Sequence, residues 1–179
     1  MSVPASNRNY STESVLIAAF SVIALLVHLL TNGRYGYFRD ELYYLADGRH
    51  LDWGYVDFAP LTALYARFGL LLGGSLTAIR IVPALAGAGL VAVVMLMTRR
   101  LGGGLFAQGL AGLCVLLCPA FLAIGNFLSM NAVEPLIWTG AAYFLIRIAQ
   151  TGNSRLWIWF GLLVGLGLQN KHSTLFFAV

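Results

Sequence analysis

Repeated apolar runs of membrane-crossing length leave this chain few ways to fold. A transmembrane helix needs about 20 predominantly apolar residues, and runs at 15–31, 79–97, 105–125 and 132–149 meet or approach that length, with a fifth beginning at 157–169. Hydrophobic residues make up 59% of the sequence and charged residues 10%, with mean hydropathy +0.80; ordinary soluble domains have roughly 45–50% and about 25%. The fold predicted is an all-α polytopic membrane protein with four to five transmembrane helices. Only Arg8 precedes the first run and no small-x-small cleavage site follows it, so that run reads as a retained span and not a signal peptide.

One stretch does not fit the apolar pattern. Residues 37–60, YFRDELYYLADGRHLDWGYVDFAP, hold five of the seven acids, Asp40, Glu41, Asp47, Asp52 and Asp57, among Tyr43, Tyr44, Trp53, Tyr55 and other rings. Carboxylates are costly in hydrocarbon, so the long first loop, residues 32–78, is expected outside the bilayer. Its second half, 61–72, spaces Leu61, Leu64, Tyr65, Phe68, Leu71 and Leu72 along one helical face, the pattern of a short helix lying in the interface.

The ten Arg and one Lys give a formal net charge of +4 without a basic run, which leaves no support for a nucleic-acid partner. The short connections carry Arg99, Arg100, Arg147 and Arg155, and such clusters favour the cytoplasm. The expectation is therefore a cytoplasmic N-terminus in a plasma (inner) membrane and an extracytoplasmic acidic loop. By that topology Asn126, Ser129, Asn131 and Glu134, and also Lys171 and His172, fall on the acidic loop's side. Cys114 and Cys118 stand four apart without a His or further Cys and read as packing residues. His28, alone in the first run, reads as a packing residue too. Gly161 and Gly165, like Gly87 and Gly89, read as small faces for close helix contact. No phosphate-loop motif is present, so no nucleotide cofactor is expected.

Three ordered motifs carry a resemblance: Phe38-Arg39-Asp40-Glu41-Leu42-Tyr43-Tyr44, then Gly54-Tyr55-Val56-Asp57-Phe58-Ala59-Pro60-Leu61, then Ala78-Ile79-Arg80-Ile81-Val82-Pro83. With Ser129 to Pro135 and Gly165 to Lys171 they resemble the amino-terminal part of GT-C membrane glycosyltransferases, in the bacterial branch related to protein O-mannosyltransferases and aminoarabinose-to-lipid-A transferases. Ala59 departs from that pattern where many relatives have a first proline. Such enzymes run to several hundred residues, so the chain is expected to be the leading part of one and to need the rest for turnover.

The resemblance implies a donor sugar on a polyprenyl phosphate, an acceptor lipid, glycan or protein at the membrane, and a site on the acidic loop. Asp40 is then the candidate base with Glu41 as its neighbour. Asp57 is a second carboxylate that orients the acceptor or binds a divalent metal ion, the one cofactor expected. Tyr43 and Trp53 are candidates to stack on sugar, and Arg80, Lys171 and His172 to hold phosphate, with Glu134 near the acceptor.

Plainer readings stand beside these. Asp40 also suits an N-cap on a short helix through Leu45, tyrosines and tryptophans gather at interfaces regardless, and Asn131 with Glu134 has capping-box spacing. Lys171 also suits snorkelling to headgroups. The rival class is a non-enzymatic membrane protein, either a transporter piece with a cation- or solute-binding acidic loop or an inactive scaffold relative.

Overall fold

A computed structural model describes residues 10–178, and every regular element among them is helical. Three helices are long and apolar enough to cross a membrane: α1 (Tyr10–Thr31), α5 (Ile81–Arg100) and α8 (Met130–Thr151). At 1.5 Å per residue they reach about 30 Å, the thickness of a hydrocarbon core. The chain is thus a multi-pass, all-α membrane protein, as its hydropathy pattern implies.

Between α1 and α5 lie three short helices, α2 (Arg39–Arg49), α3 (Leu61–Leu71) and α4 (Leu76–Ile79). The run at 105–125 is not one span. It divides into α6 (Leu105–Leu117) and α7 (Pro119–Ile124), with Cys118 extended between them at φ −65° and ψ 117°. Pro119 is the reason: the residue before a proline is pushed out of the helical region, and proline itself is welcome only in a first turn. Cys114 and Cys118 therefore do not share a helical face, and Cys114 is exposed instead of packed. The fifth run becomes α9 (Leu156–Asn170), whose 15 residues reach only about 22 Å. A 3₁₀ turn (His172–Thr174) and α10 (Leu175–Ala178) follow.

Helix α5 sits in the middle and packs on α1, α6 and α8, while α8 also packs on α9. Its small residues permit this. A Cβ on Gly87 would stand 2.9 Å from the His28 ring, and one on Gly89 3.1 Å from Leu136. Without a hydrophobic driving force between helices in lipid, close approach of this kind supplies the packing energy. Gly161 and Gly165 differ, since neither has any described atom within 4 Å of its Cβ position. The contact face expected there is open.

His28 is buried and hydrogen-bonded as expected, with Nδ1 3.1 Å from Asn126 Oδ1, which also accepts the Thr31 hydroxyl. Two ends of the bundle emerge. Arg99 reaches Ser14, and Gln150 donates to the Arg100 carbonyl at one end; α2, α3 and the start of α8 gather at the other. Arg8, which precedes the first run, lies outside the described residues.

Helix α3 buries Thr62, Ala63, Ala66 and Gly69 and leaves Leu64, Phe68, Leu71 and Leu72 exposed. Its small residues face protein because neighbours press close: a Cβ on Gly48 of α2 would stand 2.9 Å from Ala66, and one on Gly69 2.6 Å from the Ile79 backbone. The large apolar side chains are left outward, as an interfacial helix requires.

Candidate functional site

The first turn of α2 organises the site end. Phe38 is its N-cap, and Glu41 reaches back to accept the Phe38 N–H at 2.8 Å, so Asp40 sits inside the turn and is not the cap. The helix runs on to Arg49, past the Leu45 expected. Glu41, Tyr44 and Gly48 form its buried stripe. Asp40, Tyr43 and Asp47, also spaced three and four apart, form the stripe beside it.

Glu41 has no solvent exposure and Arg80 only 1%, and the two meet in a two-pronged ion pair, Nε to Oε1 at 2.8 Å and Nη2 to Oε2 at 2.6 Å. Each Glu41 oxygen takes a second N–H, from Phe38 on one side and from Leu128 at 2.8 Å on the other. The remaining Arg80 donors go to the carbonyls of Asn32, Tyr35 and Gly36. Asn32 itself donates to the Arg80 carbonyl at 3.2 Å. Arg80 is thus occupied on every nitrogen and has little to offer a phosphate. Glu41 and Arg80 instead clasp the α1–α2 loop, the start of α5 and the approach to α8. The Phe38 and Phe127 rings, 4.6 Å apart, add to the same junction.

Asp40, one residue away, is reachable. Its side chain is 38% exposed, and among the described residues its ion pair is to Arg39, at 3.0 Å and itself 89% exposed. Such surface pairs hold little energy. Asp57 joins the stripe from the following loop, accepting the Tyr43 hydroxyl at 2.9 Å. That hydrogen bond is the main reason the Tyr43 hydroxyl is pushed up to about 12, helped by burial and by the Asp57 and Asp47 charges. Tyr44 is raised by burial first and then by Asp40 and Asp57. Asp47 is raised by burial and by Asp57, with His50 pulling the other way. Asp40, Asp47 and Asp57 therefore act on one aromatic patch.

Phe58 is the hub of that patch, 3% exposed, with Tyr55 stacked on it at 4.7 Å and Tyr43 and Tyr44 edge-on at 5.5 and 5.0 Å. The Tyr55 hydroxyl accepts the Asp52 N–H at 3.0 Å and lies 3.2 and 3.1 Å from the carbonyls of Asp47 and His50, which folds the loop back. Asp52 caps its own turn through the Trp53 N–H. Trp53 stands 93% exposed, clear of the rings around Phe58.

A second cluster forms where α8 begins and α9 ends. Lys171 Nζ donates to Asn131 Oδ1 at 2.8 Å and to Glu134 Oε2 at 3.0 Å, and the Ser173 hydroxyl donates to the other Glu134 oxygen. Asn131 and Glu134 do not make the capping box their spacing suggests: Ser129 caps α8, accepting the Asn131 N–H. Asn170 ties the two helices again through the Met130 carbonyl. His172 is exposed beside this cluster.

The structure thus bonds Tyr43 to Asp57, with Asp40 one turn before Tyr43 on the same stripe, joins Glu41 to Arg80 and Glu134 to Lys171, and leaves Trp53 and His172 at the edges. Among the described residues no three His, Cys, Asp or Glu side chains gather as a metal cage. An ion at Asp57 would take its other ligands from water or substrate. Sequence reasoning missed Phe58 as the hub and the Leu128 N–H as a partner of Glu41. The first had a signal, an apolar ring next to Asp57 in the second motif; the second is a backbone group 87 residues away and had none.

A polytopic helical membrane protein with a carboxylate and aromatic site gathered at one end of its bundle belongs to the class that does polar chemistry at a membrane surface. Residues 57–179 match the model of the dolichyl-phosphate-mannose-protein mannosyltransferase family, and the chain belongs to that family, a membrane glycosyltransferase group of GT-C type. The match opens at Asp57. Asp40 and Glu41 precede it; Glu41 is tied to the matched residues through Arg80, and Tyr43, one turn after Asp40, through Asp57. No curated protein and no solved structure matches the chain.

Proposed function

We propose that this protein moves a sugar from a polyprenyl-phosphate donor to an acceptor hydroxyl on the extracytoplasmic side of the inner membrane, with its N-terminus in the cytoplasm. The observation that carries this reading is the reachable Asp40 carboxylate on a stripe with Tyr43 and Asp57, fixed from behind by the Glu41–Arg80 clasp. Arg99, Arg100, Arg147 and Arg155 lie toward the opposite end of the bundle, which supports the orientation.

In the reaction the acceptor oxygen attacks the anomeric carbon as the bond from that carbon to the phosphate oxygen breaks. The bonding pair leaves with the phosphate, and Asp40 takes the acceptor proton. A base within hydrogen-bond reach contributes typically 10²–10⁴ in rate. Tyr43 holds one oxygen of Asp57, leaving the other to orient the acceptor or to bind a divalent ion. Lys171, aimed by Glu134, meets the departing phosphate, with His172 beside it. Fixed cations at developing charge are among the largest catalytic contributions. Trp53 offers an exposed face for a sugar ring.

The test is a panel of radiolabelled polyprenyl-phosphate sugars offered to the protein in membranes, with and without chelator. Transfer of one labelled sugar supports the reading, and loss with chelator adds the metal ion. Transfer from a nucleotide sugar alone, or none from any lipid phosphate, overturns it.

A further inference from the structure

The end of the bundle away from the acidic loop carries charge that the chain does not balance. Five of the seven acids lie in residues 37–60, and Glu134 stands near the start of α8, toward that loop. Glu13, 3% exposed, is then the one carboxylate among the described residues at the end that holds Arg99, Arg100, Arg147 and Arg155.

Two of these cations converge. Arg147 Nη1 donates to the Tyr143 hydroxyl at 3.2 Å, with the guanidinium carbon 5.9 Å from the ring centre, and Arg100 approaches the same hydroxyl from the end of α5. Gln150 fixes that approach by donating to the Arg100 carbonyl at 2.8 Å. Neither arginine has an ion pair among the described residues, and Arg147 Nε is buried without a hydrogen-bond partner. Two guanidinium groups drawn to one neutral oxygen repel each other. Orientation in the membrane calls only for cations near the ends of spans, so it does not account for the pairing.

An anion does. Guanidinium forks match the oxygens of a phosphate, and basic pockets between membrane helices recognise anionic lipid headgroups. The setting favours a lipid over a soluble anion, because Arg100 closes a membrane span and Trp157 and Trp159 at the start of α9 are 52% and 58% exposed, as interfacial rings are. We propose that Arg100 and Arg147 hold the phosphate of an anionic phospholipid in the leaflet at that end, with Tyr143 setting the spacing of the two guanidinium groups. This lipid takes no part in sugar transfer, so the site stands or falls apart from the proposed function.

The test titrates the full-length protein in detergent with dioleoylphosphatidylglycerol and follows the first bound lipid by native mass spectrometry. Arg147→Gln is expected to weaken that binding about fivefold, and so is Arg100→Gln, at an exposed position where folding is not at stake. Arg155→Gln removes the same charge from a residue that does not reach Tyr143 and should change binding about twofold or less. Dioleoylphosphatidylcholine, which has a phosphate but no net charge, should bind about tenfold more weakly. Equal losses for Arg100→Gln and Arg155→Gln, or equal binding of the two lipids, would reduce the site to diffuse surface charge and overturn the proposal. Displacement of the lipid by millimolar inorganic phosphate would overturn it in favour of a soluble anion.

Discussion

Exchanging Glu41 for glutamine tests the clasp with almost no change of shape. All four partners of this carboxylate are donors: Arg80 Nε and the Leu128 N–H on Oε1, Arg80 Nη2 and the Phe38 N–H on Oε2. A glutamine has one acceptor oxygen and one amino group, so whichever way it is turned the NH₂ opposes one Arg80 N–H and one backbone N–H. Arg80, 1% exposed, is then a buried cation without a counter-charge. Removing one member of a buried ion pair costs about 3–5 kcal/mol, which in a chain of this size lowers the unfolding midpoint by on the order of 10 °C.

Asp40→Asn, one residue away, disturbs only an exposed pair worth about 0–1 kcal/mol. Thermal unfolding in detergent, followed by circular dichroism, should separate these neighbouring substitutions widely. Arg80→Lys should fall with Glu41→Gln, because an ammonium cannot reproduce the two-pronged geometry. Midpoints for Glu41→Gln and Asp40→Asn that agree within error would refute the reasoning.

Two further outcomes follow. Gly125→Ala would place a Cβ 2.4 Å from His28 Cε1 and should destabilise by about 1–3 kcal/mol, with much of the loss recovered in the His28→Ala, Gly125→Ala double variant; no coupling between the two would contradict the packing. Tyr43, pushed up to about 12 from an ordinary 10 by its bond to Asp57, binds its proton more tightly folded than unfolded. Its contribution to stability is therefore complete below pH 10 and fades between about pH 10 and 12. Tyrosinate absorbance at pH 11 should be nearly unchanged by Tyr43→Phe, whereas loss of a full tyrosinate signal would oppose the assignment.

The long spans are legible because length and hydropathy alone decide them, and α1, α5 and α8 fall within a few residues of their apolar runs. The α6–α7 break was legible as well, in Pro119, but an apolar run on both sides hides a local steric event. That Lys171 and Glu134 share an end follows from counting crossings. That they touch, at 3.0 Å, depends on where α9 stops. The Glu41–Arg80 clasp joins residues 39 apart through a loop with no periodicity, so composition suggests a free cation where folding makes a satisfied one. Likewise the approach of Asp57 to Tyr43 is set by how residues 50–57 wrap Phe58, which no spacing rule encodes.

Asp40, held by the clasp behind it, is proposed as the proton acceptor in sugar transfer, and that role has a direct test. It is tested most directly by kcat/KM for a radiolabelled polyprenyl-phosphate sugar in the wild type, Asp40→Asn and Asp52→Asn. Asp40→Asn is expected to lower it by about 10² or more with the unfolding midpoint unchanged, while Asp52→Asn stays near wild type. Normal transfer by Asp40→Asn would contradict it.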